Sequence, residues 1–344
     1  MSWNEIREHQ SNIEAFRRAA ARGRLASTFL FVGPPGVGKR TFALKLAQAL
    51  LCETNAEALL EPCGECWSCL HLAAGTHPDL ELVSKPDDKS FITLEAFIGD
   101  KEHRNREGLC HRISLKPMRG RRKIAIIDDA DYLNVEGANS LLKTLEEPPP
   151  RSVIILIGTS ALRQLPTIRS RSQVVRFGAL ANETVEELLI AKRLVEDRAE
   201  AAELAQHSEG SVAQALDLAD PELRQFRASL GASLSELPLD SVSLAKTIGA
   251  FVDTAGKEAP PRRQRLKQVV GWAADYFRHA MWHGAGASGE SLAGMATVVA
   301  IEPNTAAECL ELCLEVIQQV DANANQATMI DAWLNRLGRR LVEY

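Results

Sequence analysis

The stretch "FVGPPGVGKRT" (Phe31 to Thr41) holds the raw material of a phosphate cradle. Gly33, Gly36 and Gly38 can turn backbone N–H groups inward on an anion at a helix N-terminus, and Lys39 can bring a positive charge to the outer phosphates. The signature G-x-x-x-x-G-K-[ST] is met through Lys39 and broken at Arg40, where a hydroxyl should hold magnesium. A guanidinium has no lone pair for a metal that wants near-octahedral oxygen ligands. Thr41 comes one residue late, and one residue along a helix swings a side chain by about 100°. The expectation is nucleotide binding that is weak or vestigial, with metal-assisted turnover impaired.

Two further groups could serve the same chemistry. "IAIIDDAD" sets Asp128 and Asp129 at a strand end, where one carboxylate can hold magnesium through water and the next orient the attacking water. Asp129 is one methylene shorter than the glutamate common there, and misplacement by about 1 Å can cost on the order of 100-fold in rate. Thr159 ends a later strand as a candidate nucleotide sensor, and Arg169 and Arg171 follow in "LPTIRSRSQVVRF". An isolated basic pair is usually a solvated face. An arginine that reaches a neighbouring subunit's phosphate is worth about 1000-fold or more.

Cys52, Cys63, Cys66 and Cys69 have the spacing C-x10-C-x2-C-x2-C. Three at knuckle spacing and a fourth a short loop away suit tetrahedral thiolate binding of zinc, with an iron–sulfur cluster or unliganded thiols as alternatives. His71 is an alternative fourth ligand. No open coordination position is implied, so such a metal is structural. Cys309 and Cys313, at helical spacing in "AAECLELCLEVI", read as buried small hydrophobes. The basic runs "RGRRK" (119–123) and "PRRQRLK" (261–267) read as solvated faces before nucleic-acid sites, and His77 in "GTHPDL" as a turn former.

The elements that must position these groups follow from periodicity. "STFLFV", "KIAIIDDAD" and "SVIILIGTS" are continuously apolar, β-branched runs with polar carboxyl ends, the pattern of buried parallel strands. Helices are expected from Asn4 to Gly23, after the glycine loop ("TFALKLAQALL"), and in "VEGANSLLKTLEEPPP". In the last, Ala138, Leu141, Leu142 and Leu145 share a face and the prolines stop the helix. Alternating strands and helices imply an α/β fold, a parallel sheet with helices on both faces. Gly33, Asp128 and Thr159 would converge at the strands' carboxyl ends. After Phe177 the chain turns helical: "NETVEELLIAKRL" opens with a capping box from Thr184 to Glu187, Asp220-Pro221 forms a joint, and helices continue to Tyr344, broken at "LPLD", "EAPP" and "HGAGASGE".

A length of 344 residues suggests two or three domains, and 45% hydrophobic with 25% charged residues is ordinary for a globular chain. A net charge of -5 gives no overall pull toward nucleic acid. The start, "MSWNEIREHQ", does not read as a signal peptide, and no apolar run nears spanning length, so a cytoplasmic protein with reduced thiols is expected.

Together, "GPPGVGKR", the four cysteines, "THPDL", "IIDDAD", "ANSLLKTLEEPP", "LPTIRSRSQ" and "VDANANQATMIDAWLNRL" resemble the bacterial clamp-loader branch of the AAA+ ATPases. The resemblance implies an AAA+ P-loop module over 1–178 with a zinc module at about 52–69, a helical lid over 179–220, and an all-helical collar over 221–344. It implies membership of a pentameric ring with gamma/tau and delta subunits that places the sliding clamp on primed DNA for DNA polymerase III. One class of subunit there does not hydrolyse ATP and offers a neighbour an arginine from a Ser-Arg-Cys motif, which here reads Ser170-Arg171-Ser172. Motor subunits carry a lid arginine after a Gly-Ser pair; "GSVAQAL" has Ala213 and Gln214 instead. The reading that follows is a non-hydrolysing interaction subunit. An active ATPase motor, with Lys39, Asp128 and Thr159 intact, is the alternative, and a zinc-bearing DNA-binding module is a third.

Overall fold

The computed structural model describes residues 3–119, 121–286, 301–321 and 325–342, which form two compact units, 1–214 and 215–344. In the first, five strands alternate with helices: α1 (Gln10–Ala21), β1 (Thr28–Val32), α2 (Lys39–Leu51), α3 (Trp67–Ala73), β2 (Leu80–Val83), α4 (Glu95–Ile98), α5 (Gly108–Ser114), β3 (Lys123–Ile127), α6 (Val135–Glu146), β4 (Ser152–Gly158), α7 (Pro166–Ser170), β5 (Gln173–Arg176), α8 (Asn182–Ala191) and α9 (Arg198–Gln206). Helix α10 (Val212–Ala219) carries the division between the units.

The sheet order is β2-β3-β4-β1-β5 and every pairing is parallel. Alternating side chains point to two faces that are both covered, so β1, β3 and β4 are buried throughout. Leu30 and Val32 of β1 join Ile127, Leu141, Leu156 and Ile168 on one face, which α4 to α7 cover. Phe29 and Phe31 point the other way into an aromatic cluster with Phe16, Phe42 and Phe177, whose ring centroids lie 4.9–6.3 Å apart. This is the parallel α/β phosphate-loop class the sequence implied.

The second unit is helical: α11 (Pro221–Ser235), α12 (Ser241–Thr254), α13 (Ala259–Gly284), α14 (Pro303–Asp321) and α15 (Gln326–Val342) surround a core that includes Tyr276, Phe277 and Trp333. Asp220 caps α11, its Oδ1 accepting from the amides of Glu222 and Leu223, so the Asp220-Pro221 joint is a helix start. Cys309 and Cys313 are buried, and burial pushes both thiols up to about 12. The "HGAGASGE" break runs into 287–300, and part of "VDANANQA" falls on 322–324; both lie outside the described residues. Among the described residues, no helix is long and apolar enough to cross a membrane.

Several expectations are corrected. The first helix starts at Gln10, because Glu8 and His9 have left-handed φ values of 58° and 48° that interrupt a helical path. Helix α8 starts at Asn182, so Thr184 lies inside the first turn, and the amide of Ala181 donates to Glu8 Oε1 at 2.8 Å. Strand β2, in "LELV", was not foreseen. It is a half-exposed edge strand whose Glu81 pairs with Arg112, and so lacks an apolar run.

Candidate functional site

The glycine loop leaves the carboxyl end of β1 beside the ends of β4 and β3. The Gly33 amide donates to Thr159 O at 3.1 Å. Gly33, at φ 153°, lies so close to the Phe177 carbonyl that no Cβ could fit. The loop ends at Gly38, the left-handed N-cap of α2. The sequence-derived residues Gly33, Gly36, Gly38, Lys39, Arg40, Asp128, Asp129 and Thr159 therefore meet at the carboxyl end of the central strands, while Thr41 faces solvent on α2.

Inside this site the cations have turned to protein acceptors. Lys39 Nζ donates to the carbonyls of Gly33 (2.7 Å) and Pro34 (2.5 Å). Burial lowers its pKa, against the opposing charges of Asp131 and Asp128. Arg40 Nη1 donates to Asp128 Oδ2 at 2.9 Å, so the guanidinium engages that carboxylate. Asp129, half-buried at φ 56°, has its pKa raised, first by burial and then by the charge of Asp128. Asp131 takes the remaining partner: its Oδ2 accepts from the amide (2.8 Å) and hydroxyl (2.6 Å) of Thr159. The Thr159 hydroxyl is thus turned to a carboxylate.

The other loop carbonyls are occupied too. Ser211 Oγ donates to Pro35 O at 2.8 Å, the Val212 amide to Gly36 O at 3.3 Å, and the Phe42 amide to Gly38 O at 2.9 Å. His9 Nε2 lies 2.8 Å from Val37 O, a contact that requires the proton on Nε2. Gly36, at φ 72°, is packed against the backbone and Cβ of Ala213. Every carbonyl from Gly33 to Gly38 has a protein donor. Ser211, His9 and Asp131 were not legible as site residues, since each acts through a contact distant in sequence.

Arg171 stands at the C-terminus of α7, exposed. Its Nη2 contacts Glu146 Oε1 at 2.6 Å and its Nη1 donates to Thr167 O at 3.1 Å. The short helix under it is fixed by Ile168, fully buried in the sheet core. Arg169 is exposed on the same turn.

The four cysteines come together as their spacing implied, with all ligand atoms within 4.8 Å of one another and Cys63 Sγ 3.9 Å from Cys69 Sγ. A tetrahedron with metal–sulfur bonds of about 2.3 Å has edges of about 3.8 Å, so the set fits a zinc ion. Backbone amides already point at the sulfurs: Cys66 N to Cys63 Sγ at 3.3 Å, Cys69 N to Cys66 Sγ at 3.4 Å, Asn55 N to Cys52 Sγ at 3.4 Å. A hydrogen bond with the Thr54 hydroxyl leads the effects that lower the Cys63 thiol to about 6. His71 is turned away to Thr76 Oγ1 at 2.8 Å and stacks on Trp67, so it is not the fourth member.

The run at 119–123 is not the solvated face expected. Arg119 pairs with Glu53 and lies over Trp67, Arg121 donates to the carbonyls of Asn55 and Glu53, and Arg122 forks onto Glu57. These arginines bind the cysteine loop to β3. In the second run, Arg262 pairs with Asp253 and Arg265 lies over Phe251. His77 is buried; its Nδ1 accepts from the Asp79 amide, which makes it the turn former expected.

The sequence family described as DNA polymerase III, delta subunit, matches residues 8–181. The chain is 30% identical over 321 residues to a DNA polymerase III subunit delta' of Pseudomonas aeruginosa, covering 91% of this chain and 92% of that protein. It is 32% identical over 232 residues to the subunit of the same name from Bacillus subtilis, covering 67% of this chain and 65% of the relative. It is 34% identical over 213 residues to DNA polymerase III subunit tau of Escherichia coli, of which it spans 31%.

Proposed function

We propose that this chain, which belongs to the DNA polymerase III delta-prime family, is a clamp-loader subunit that hydrolyses no ATP itself and lends Arg171 to a neighbouring subunit's nucleotide. The observation that carries the reading is the Arg40–Asp128 pair at 2.9 Å. Magnesium at this site needs a hydroxyl and an ionised carboxylate facing it. It meets instead a fixed cation already paired with that carboxylate. A triphosphate would also have to draw Lys39 off two carbonyls and meet a loop whose lid, through Ser211 and Val212, is already seated. Any bound ATP is held weakly and without turnover.

Arg171 has what a donated cation needs. It is exposed, it rises from a helix rooted in the core, and its ion pair with the exposed Glu146, beside local hydrogen bonds to Thr167 O and Ser170 Oγ, is a contact worth about 0–1 kcal/mol that a phosphate can replace. Cys52, Cys63, Cys66 and Cys69 would hold a structural zinc, and that metal would pin the loop that Arg119, Arg121 and Arg122 grip. Gamma/tau and delta subunits are the partners in a pentameric ring, with the sliding clamp and primed DNA reached through the assembly.

The test has two arms. The isolated chain is expected to release no phosphate above its Lys39→Ala variant; Lys39-dependent hydrolysis would make it a motor. In a ring reconstituted with the motor and delta subunits, Arg171→Ala should lower turnover at the site it serves by on the order of 1000-fold while the chain still assembles. Unchanged ring turnover would reject the donated arginine.

A further inference from the structure

Asp131 is fully engaged, and its partners lie on two separate elements. Its Oδ2 holds the backbone and hydroxyl of Thr159 at the end of β4, and its Oδ1 accepts from Gln164 Nε2 at 2.7 Å. Gln164 is 4% exposed and stands two residues before Pro166, the first residue of the arginine-bearing α7. On its other side, Asp131 lies in the turn that follows Asp128 and Asp129, whose first carboxylate Arg40 holds. The contacts form one chain, from Arg40 through Asp128, the Ala130–Tyr132 turn, Asp131 and Gln164 to the root of Arg171.

The geometry points to Asp131 as a positioning residue for Arg171, acting through Gln164 to fix where α7 begins; this inference rests on the proposed donation of Arg171 to a neighbour. A short helix of five residues cannot hold its own orientation. Its C-terminal side runs into β5, whose Gln173 pairs with Phe29, and its inner face is held by Ile168; ahead of its first turn, the Gln164 amide is held by Asp131. Without that last contact the start of the helix loses its hydrogen-bonded side-chain tie, and its register is set from the other end. An arginine that must meet a phosphate across a subunit boundary depends on that register, because a shift of about 1 Å can cost on the order of 100-fold. The buried Gln164 amide would otherwise be left without its acceptor, so the brace has a defined geometry.

The experiment uses the full chain in the reconstituted ring and, in parallel, hydrogen exchange on the full chain alone. Gln164→Leu removes only the arm toward α7 and leaves the Asp131–Thr159 bonds intact; Asp131→Ala removes both. Both variants are expected to lower ring kcat about tenfold or more with the KM for ATP unchanged, since the neighbour binds the nucleotide. Exchange should quicken across 164–171 and stay slow in β1 and β4. Asp131→Asn should behave as the parent chain: its Oδ1 accepts from Thr159, and its amide donates to a Gln164 that flips by 180°.

A ring sensitive to Arg171→Ala yet indifferent to Gln164→Leu overturns the inference and leaves the donated arginine standing. A ring indifferent to Arg171→Ala removes the donated arginine instead, and exchange across 164–171 then decides the brace by itself: unchanged protection in Gln164→Leu sinks it. If Asp131→Asn is as impaired as Asp131→Ala, the carboxylate's charge matters and the positioning role is wrong.

Discussion

At the scale of single residues, the site is defined by who partners whom. Arg40→Ser removes the cation from Asp128 and returns a hydroxyl to the first turn of α2. Magnesium-dependent binding of a fluorescent ATP analogue is expected to tighten at least tenfold, with no hydrolysis, because Lys39 stays on two loop carbonyls and Asp129 stays half-buried; a titration with and without magnesium checks it. Asp129 gives a second prediction. Its pKa is raised by burial, so between the ordinary carboxylate range near pH 4 and the raised value the folded state binds more protons than the unfolded one. Stability contributed by this group therefore falls as pH rises through that window. Asp129→Asn, which tolerates the same left-handed backbone, should raise the thermal midpoint at pH 7, and the gain should vanish below about pH 4. The misfit of Arg40 was legible because a motif fixes what its position must do. Its capture of Asp128 was not, since a long side chain chooses its partner only after the backbone is in place.

At the scale of elements, the central strands were legible and the β2 edge was not. Strands β1, β3 and β4 are covered on both faces and so carry unbroken apolar runs, whereas β2 spends Glu81 on Arg112 and leaves Leu82 exposed. The start of α1 was misread because nothing in the local pattern announces left-handed Glu8 and His9, whose side chains bond to Ala181 and Val37. The seat of residues 211–213 on the loop was likewise invisible: it depends on Gly36 lacking a Cβ where Ala213 approaches. Gly36→Ala should therefore cost about 1–2 kcal/mol for the positive φ alone, and more for the clash, read as a lower urea midpoint. Unfolding at the parent midpoint would remove the claim that residues 211–213 rest on this glycine.

For the whole molecule, the two units carry separate reporters. Seven cysteines are present, four in the knuckle of the first unit and Cys309 with Cys313 in the core of the second. A native, metal-loaded chain should leave at most Cys110 to a thiol reagent. A strong chelator should expose four more without lowering helicity by much. Cys309 and Cys313, unreactive as buried thiols, should appear only when the second unit unfolds. Simultaneous release of all the thiols would mean the units do not melt independently of the knuckle. The seven-thiol pattern was countable from sequence; which thiols share a core was given by helical spacing alone. The complete tethering of the Gly33–Gly38 carbonyls has a bearing on design. Design toward tighter phosphate binding here would meet ties from three stretches of chain, at His9, on α2 and at Ser211–Val212; replacing Lys39 frees two carbonyls at once, but no single substitution frees them all.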